Sequence, residues 1–238
     1  MKKAILLIFV LLLMLCLLAG CAQDPDELPD IIPVETLVPE TVTPEEVLTP
    51  ENLGNYFQIT DLTPYSGPFM ECEPDEFCRV ENAYGLNITN LSDKTVLNAE
   101  LKFTDGTREL RFYVEILPPG VTVMVADPDR NNAVAEKLEF TGGAVDYLDP
   151  ELETPDAVEI TPTNDNTLEV KNLTKETLPT VWIFYRDCDR FGNILGGRCF
   201  SVAVEQIRSD DTRNAESSQW LPSCQIMDVV VVYPEETQ

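Results

Sequence analysis

The chain has 238 residues, 42 acidic against 16 basic, no histidine, and a formal net charge of −26. That balance excludes nucleic acid and peripheral docking on anionic lipid, since both are polyanions that need a basic stripe. The lack of histidine excludes Ser-His-Asp and Cys-His catalysis and His-ligated zinc. Carboxylate pairs remain as a candidate chemistry, but with 42 acids close spacing arises by chance and carries no information.

Residues 1–20 read MKKAILLIFVLLLMLCLLAG. Lys2 and Lys3 precede an unbroken apolar run from Ala4 to Ala19, the layout of an export leader. The run is close to the ~20 residues of a spanning helix, and its end decides between the two. Leu18-Ala19-Gly20-Cys21 matches the bacterial lipoprotein processing box. That resemblance implies a new N-terminus at Cys21 carrying lipid, with Cys16 discarded. Several acyl chains at ~0.8 kcal/mol per buried CH₂ hold a protein on a membrane where one chain is marginal. Ala22 follows, not the Asp associated with inner-membrane retention in Gram-negative cells. The expected location is the extracellular face of the cell membrane, lipid-anchored.

From Ala22 to Asn52 the chain carries six prolines and nine acids and no base. Proline removes backbone donors and like charges repel, so this stretch is expected to be extended rather than packed. In polyproline form at ~3.1 Å per residue it spans on the order of 90 Å, a spacer between membrane and ectodomain.

Beyond it the pattern is that of strands. Leu97, Ala99, Leu101 and Phe103 alternate, as do Val181, Ile183 and Tyr185. Trp182 and Phe184 interleave the second set, which predicts a strand buried on both faces with Trp182 in the core. Further strands are expected over 111–117, 200–207 and 226–233. Turns are expected at Asp105-Gly106, Pro118-Pro119-Gly120, Gly142-Gly143 and Gly196-Gly197, and a short helix over 133–138.

ITNLSDKTV at 88–96 returns as VKNLTKETL at 170–178. Aligning Asn90 with Asn172, an offset of 82, also aligns Ala99 with Val181, Leu101 with Ile183, Phe103 with Tyr185 and Asp105 with Asp187. Val114-Glu115-x-Leu117 then aligns with Val204-Glu205-x-Ile207, and Thr122 with Thr212, at an offset of 90. The second copy has eight extra residues, within CDRFGNILGGRC. Two blocks in one order, differing by one loop, indicate a duplicated module. Copies of about 80–95 residues with short strands every 8–12 residues fit a small immunoglobulin-like sandwich, with a compact barrel as the alternative. The expected organisation is all-β: leader 1–20, anchored acidic linker 21–52, first sandwich 53–149 and second sandwich 156–234.

Past Cys21 the cysteines are Cys72, Cys78, Cys188, Cys199 and Cys224. Disulfides are permitted outside the cell. Sequence-local pairing makes Cys72–Cys78 and Cys188–Cys199 the candidates and leaves Cys224 a free thiol. Cys188–Cys224 and Cys199–Cys224 stay open, because spacing does not fix connectivity.

In the second copy, Val170, Asn172, Val181, Tyr185, Gly192, Gly196, Gly197, Val202 and Val204 form a pattern. A strand ends in V-x-N; an aromatic strand, G-x-x-x-GG and a V-x-V strand follow. It resembles a surface-lipoprotein module of Gram-positive bacteria, loosely related to the FxLYD group of small sandwich domains. The resemblance extends more weakly to the first copy, the stalk and the lipobox. It implies a Gram-positive surface and a sandwich fold, has no assigned activity, and is silent on ligand. Cys188 and Cys199 depart from it, and Phe184-Tyr185-Arg186-Asp187 only approximates its name motif.

Binding candidates are few. Asp127, Asp129, Asn131 and Asn132 alternate as in a calcium loop, but the loop lacks the sixth-position Gly and twelfth-position Glu and contains Arg130. No metal and no cofactor are expected. The loop 71–78 is an acidic surface loop that a disulfide would pin. Trp220 either stacks on a sugar or partner or plugs the edge of the sandwich. Asn87, Asn90 and Asn172 match the glycosylation pattern, and a structural role is expected for each. The expected function is a non-catalytic interaction or envelope-structural module with an extracellular protein partner. The alternatives are a glycan- or solute-binding module and a carboxylate-based hydrolase.

Overall fold

A computed structural model describes residues 46–70, 78–135, 137–164 and 166–233, with Cys78 described by its backbone alone. The leader, Cys21, the stalk to residue 45 and Cys72 lie outside the described residues, and with them the expected anchor and the Cys72–Cys78 pair. Among the described residues no helix is long and apolar enough to cross a membrane.

The fold is all-β. Its first strands are β1 (Glu46–Leu48), then after a one-turn helix α1 (Leu53–Tyr56), β2 (Phe57–Asp61), β3 (Tyr65–Phe69), β4 (Cys78–Ala83) and β5 (Gly85–Asn90). There follow β6 (Val96–Thr104), β7 (Glu109–Leu117), β8 (Thr122–Ala126) and β9 (Glu139–Tyr147). The second half holds β10 (Val158–Asn164), β11 (Thr167–Asn172), β12 (Leu178–Arg186), β13 (Ile194–Leu195), β14 (Phe200–Ile207), β15 (Thr212–Glu216) and β16 (Gln225–Val232).

The second module is a three-on-three sandwich, β10-β11-β15 against β14-β12-β16. Its core is Leu168, Val170, Val181, Ile183, Tyr185, Val204, Ala215, Val229 and Val231, with partners from both sheets. The first module repeats that frame as β2-β5-β8 against β7-β6-β9 and adds β1 beside β9, the β3-β4 hairpin, and β13 beside β8. The strand order in every sheet is open, so the barrel alternative is not adopted. Each buried Leu, Ile or Val contributes ~1.5–3 kcal/mol, the main driving term for joining two such faces.

Register confirms the duplication. Ala99 opposes Val114 on one side and Val145 on the other; Val181 opposes Val204 and Val231. The two sequence offsets, 82 and 90, are therefore the offsets of paired strands. Even the backbone exceptions repeat. Ile116 and Gln206 both have positive φ, 36° and 54°, and Gly120 and Asp210 have 73° and 59°.

Four sequence expectations change. The stalk does not run to Asn52, because Glu46–Leu48 pairs with Val145, Ala144 and Gly143, and Leu48 is buried. Gly142-Gly143 is not a turn but the middle of β9. A Cβ on Gly143 would lie 2.2 Å from the Glu100 carbonyl oxygen, so the close approach of β9 to β6 requires glycine there. The described residues of 133–138 form no helix; the loop is held by the Ala133 amide on the Asn82 carbonyl and the Val134 amide on the Tyr84 hydroxyl. Trp182 is half-buried rather than core. It lies on the outer face of β12 with Phe184 and Arg186, which are buried, Arg186 reaching the Glu115 carbonyl of β7 in the first module.

Candidate functional site

The repeated Asn-Leu-Ser/Thr turn is a buried clamp. The Asn90 side-chain amide donates to the carbonyls of Lys94 and Leu117, both at 2.8 Å. Its oxygen accepts the Ser92 amide at 2.9 Å and the Ser92 hydroxyl at 2.7 Å. Asn172 donates to Glu176 and Ile207 at 2.7 and 2.9 Å and accepts from the Thr174 amide and hydroxyl at 2.7 and 2.8 Å. The positive φ at Ile116 and Gln206 stands one residue before the carbonyl that each asparagine captures. Both asparagines are fully buried and both side-chain amide hydrogens are engaged, so neither is open to glycosylation in the fold. Their role is to tie the turn after one strand to the positive-φ end of another.

The long hairpin of the second module is a clasp. Ile194 and Leu195 pair in parallel with Val123 and Met124 of β8, extending the first module's sheet. The Gly196 amide donates to Met124 and the Glu115 amide to Gly197, both at 2.9 Å. Arg186, 0% exposed, sits behind this strand. Its guanidinium donates to the carbonyls of Gly196, Gly197, Arg198 and, across the seam, Glu115; the contacts to Arg198 and Gly197 are 2.8 and 2.9 Å. The Glu115 carboxylate accepts the Cys199 amide at 3.0 Å. A planar fork that satisfies several carbonyls at once is a task for arginine rather than lysine.

The expected Cys188–Cys199 disulfide is not formed: Cys188, Cys199 and Cys224 are all free thiols. Cys199 is buried, with its Sγ against the Tyr185 carbonyl at 3.5 Å, while Cys188 is bridged to Ile194 at the base of the clasp. Hydrogen bonds to the first module hold this hairpin, so no covalent closure is needed. Burial pushes the Cys199 thiol up to about 12 and Cys224 up to about 11. Burial also raises Cys188. At Cys199 burial outweighs the nearby Arg186 charge, and at Cys188 and Cys224 the neighbouring charges also raise the thiol.

The Asp127 loop is closed on itself. Asp127 is buried, and its carboxylate accepts the Asn131 amide and side-chain amide, both at 2.8 Å. Arg108 reaches Asn131 Oδ1 at 2.9 Å and so brings a cation to the place where a calcium ion would need acceptors. Asp129 contributes its amide to Asp127 Oδ1 at 3.3 Å. Nearby, Asp105 accepts from Thr107, Arg108 and the Tyr84 hydroxyl, and Thr107 first, then Arg108, holds its carboxyl far below the usual range.

Trp220 is the plug and not the platform. It is 3% exposed, in the second core, edge-on to Tyr185 with centroids 5.1 Å apart. Among the described residues the most exposed aromatic is Phe191 at the clasp tip, 74% exposed, with the Arg190 guanidinium 4.7 Å over its ring. Asp189 fixes that tip by accepting the amides of Phe191 and Asn193 at 2.8 and 3.0 Å.

Sequence reasoning placed the insertion and the asparagines but missed Arg186 and Glu115. The available signal was an arginine closing the apolar run VWIFY just before an eight-residue insertion, together with the Glu that recurs in both copies. No protein-family model, no curated protein and no solved structure matches this chain.

Proposed function

We propose that the chain is a lipid-anchored extracytoplasmic protein whose two clasped sandwich modules serve a non-catalytic interaction or envelope-structural role. The clasp is the observation that carries this reading. The insertion that distinguishes the second module from the first is used to join them, and the polar groups around it are bound to backbone. The leader, the processing box at Cys21 and the acidic stalk supply the anchor and the reach. The glycan-binding reading loses its main aromatic, since Trp220 is buried. Phe191 with Arg190 is the projecting pair through which a protein partner is engaged; aromatic and arginine side chains dominate such contacts.

Feeding an alkyne fatty acid to a bacterium expressing the full chain tests the anchor. Label on the wild type and none on Cys21→Ser is expected, with the variant released from the membrane fraction. Unlabelled wild type would overturn the anchor. Cross-linking in the same cells tests the interaction: a discrete adduct lost in Phe191→Ser supports it, and an adduct pattern unchanged by that variant removes Phe191 from the role.

A further inference from the structure

The two modules share one frame, and their outer sheet faces differ at matching positions. In the first module Glu100 on β6 gathers donors from its own face. Lys102 Nζ lies 3.2 Å from its Oε2, and Arg111 Nη1 and the Tyr113 hydroxyl each lie 3.4 Å from its Oε1. Arg111 also pairs with Glu109 at 2.8 Å. This face supplies its own cations. Register gives the counterparts in the second module. Glu100 opposes Tyr113 and Lys102 opposes Arg111, as Trp182 opposes Ala203 and Phe184 opposes Ser201.

The second module therefore loses both cations. Phe184 stands for Lys102 and is buried, Ser201 stands for Arg111, and exposed Ala203 stands for Tyr113. Where two cations converge in the first module stands the half-buried indole of Trp182, whose π-face attracts cations. Among the described residues, the rings with a cation over them are those of Tyr147, Tyr84, Phe69 and Phe191, and not that of Trp182. Glu205 opposes Thr180 on the same face, two residues along β14 from Ala203. It is exposed and enters no ion pair among the described residues. We propose that this face docks a basic protein partner, a lysine or arginine side chain of that partner lying over the Trp182 ring and a second cation pairing with Glu205.

Charge selects this occupant. The chain carries a formal −26, so a basic partner is drawn to it, while a polyanion or a second, equally acidic copy is repelled. Small side chains give access: Ala203 and Ser201 flank Trp182 on β14 where the first module has a tyrosine and an arginine. A tryptophan is also the kind of side chain that anchors a protein contact. The proposal rests on the reading of the chain as an interaction module and adds a second surface to it, on β12 and β14 rather than at the clasp tip.

The test titrates the full chain, in a nonionic detergent at ~0.15 M salt, with the peptide hexa-arginine. The sequence has two tryptophans and Trp220 is buried, so their indole N–H signals separate the face from the core. Expected is a saturable shift of the Trp182 signal with Trp220 unmoved. Trp182→Leu keeps an apolar side chain without the ring and should bind the peptide about tenfold more weakly. Glu205→Gln should weaken binding to a smaller extent. The Trp220 signal reports that each variant is folded, and the wild-type titration needs no variant. An unmoved Trp182 signal overturns the proposal, and so does a Trp182→Leu affinity equal to the wild type, which would assign binding to diffuse charge. A Trp182 shift given by neutral maltohexaose or by tetramethylammonium but not by the peptide overturns it too, making the face a sugar platform or a small-cation site. The titration involves neither the anchor nor Phe191, so its failure leaves the broader reading standing.

Discussion

Asn90 and Asn172, 82 residues apart in the chain, make the same four side-chain hydrogen bonds, each capturing a carbonyl at the positive-φ end of a distant strand. The motif that marks the duplication in sequence is thus the device that sets each sandwich's register. Replacing Asn172 by Ala leaves the Glu176 and Ile207 carbonyls and the Thr174 amide without their partner. At roughly 1–3 kcal/mol per buried group left unmade, a loss of about 3 kcal/mol or more is expected. Thr174→Val, which keeps the asparagine, should cost about 1 kcal/mol. Urea denaturation midpoints check both.

Arg186 is the corresponding device between the modules. Arg186→Met removes the donor shared by four carbonyls, one of them in the other module. Breaking a buried charged network of this kind costs on the order of 3–5 kcal/mol. The expected calorimetric result is one unfolding transition in the wild type and two in the variant. Arg186→Lys keeps the charge but not the fork and should fall between them.

The thiols should respond in order of burial. At pH 8 a thiol reagent is expected to modify Cys188 first, Cys224 more slowly and Cys199 only on unfolding, since burial holds the last two up at about 11 and about 12. Mass spectrometry after timed alkylation reads the order. A Cys188–Cys199 cross-linked peptide from the native chain would contradict the free-thiol arrangement.

Two tyrosines should titrate late. Burial pushes Tyr147 and Tyr185 up to about 12, with the Tyr185 hydroxyl 2.5 Å from Ser217 Oγ. Phenols raised in the fold stabilise it fully below the unfolded value of 10.0, and that contribution is lost as pH rises through the folded values. Absorbance titration should therefore show two tyrosines ionising together with alkaline unfolding. Tyr185→Phe should remove one of them from the late phase.

The long strands are legible in the sequence because one face of each is apolar. The alternation from Leu97 to Phe103 locates β6, and the run through Val181 to Tyr185 locates β12, including its burial on both faces. Short edge strands are not legible. Residues 46–48 lie in an acidic, proline-rich stretch, and β13 is two residues recruited by a partner sheet rather than by its own pattern. Glycine misleads where a close approach, not a turn, demands it: Gly143 touches backbone across the sheet, whereas Gly106 and Gly120 do turn the chain with φ of 88° and 73°. Cysteine spacing misleads for a similar reason. Cys188 and Cys199 flank a hairpin whose closure is supplied from outside it, by Glu115 and Met124 of the first module.

The clasp makes the two modules one body, and residual dipolar couplings of backbone amides in the full chain test this directly. Couplings from β5–β9 and from β11–β16 should fit one alignment tensor. Two tensors of different magnitude and orientation would mean that the modules reorient independently, contrary to the pairing of Ile194 and Leu195 with β8.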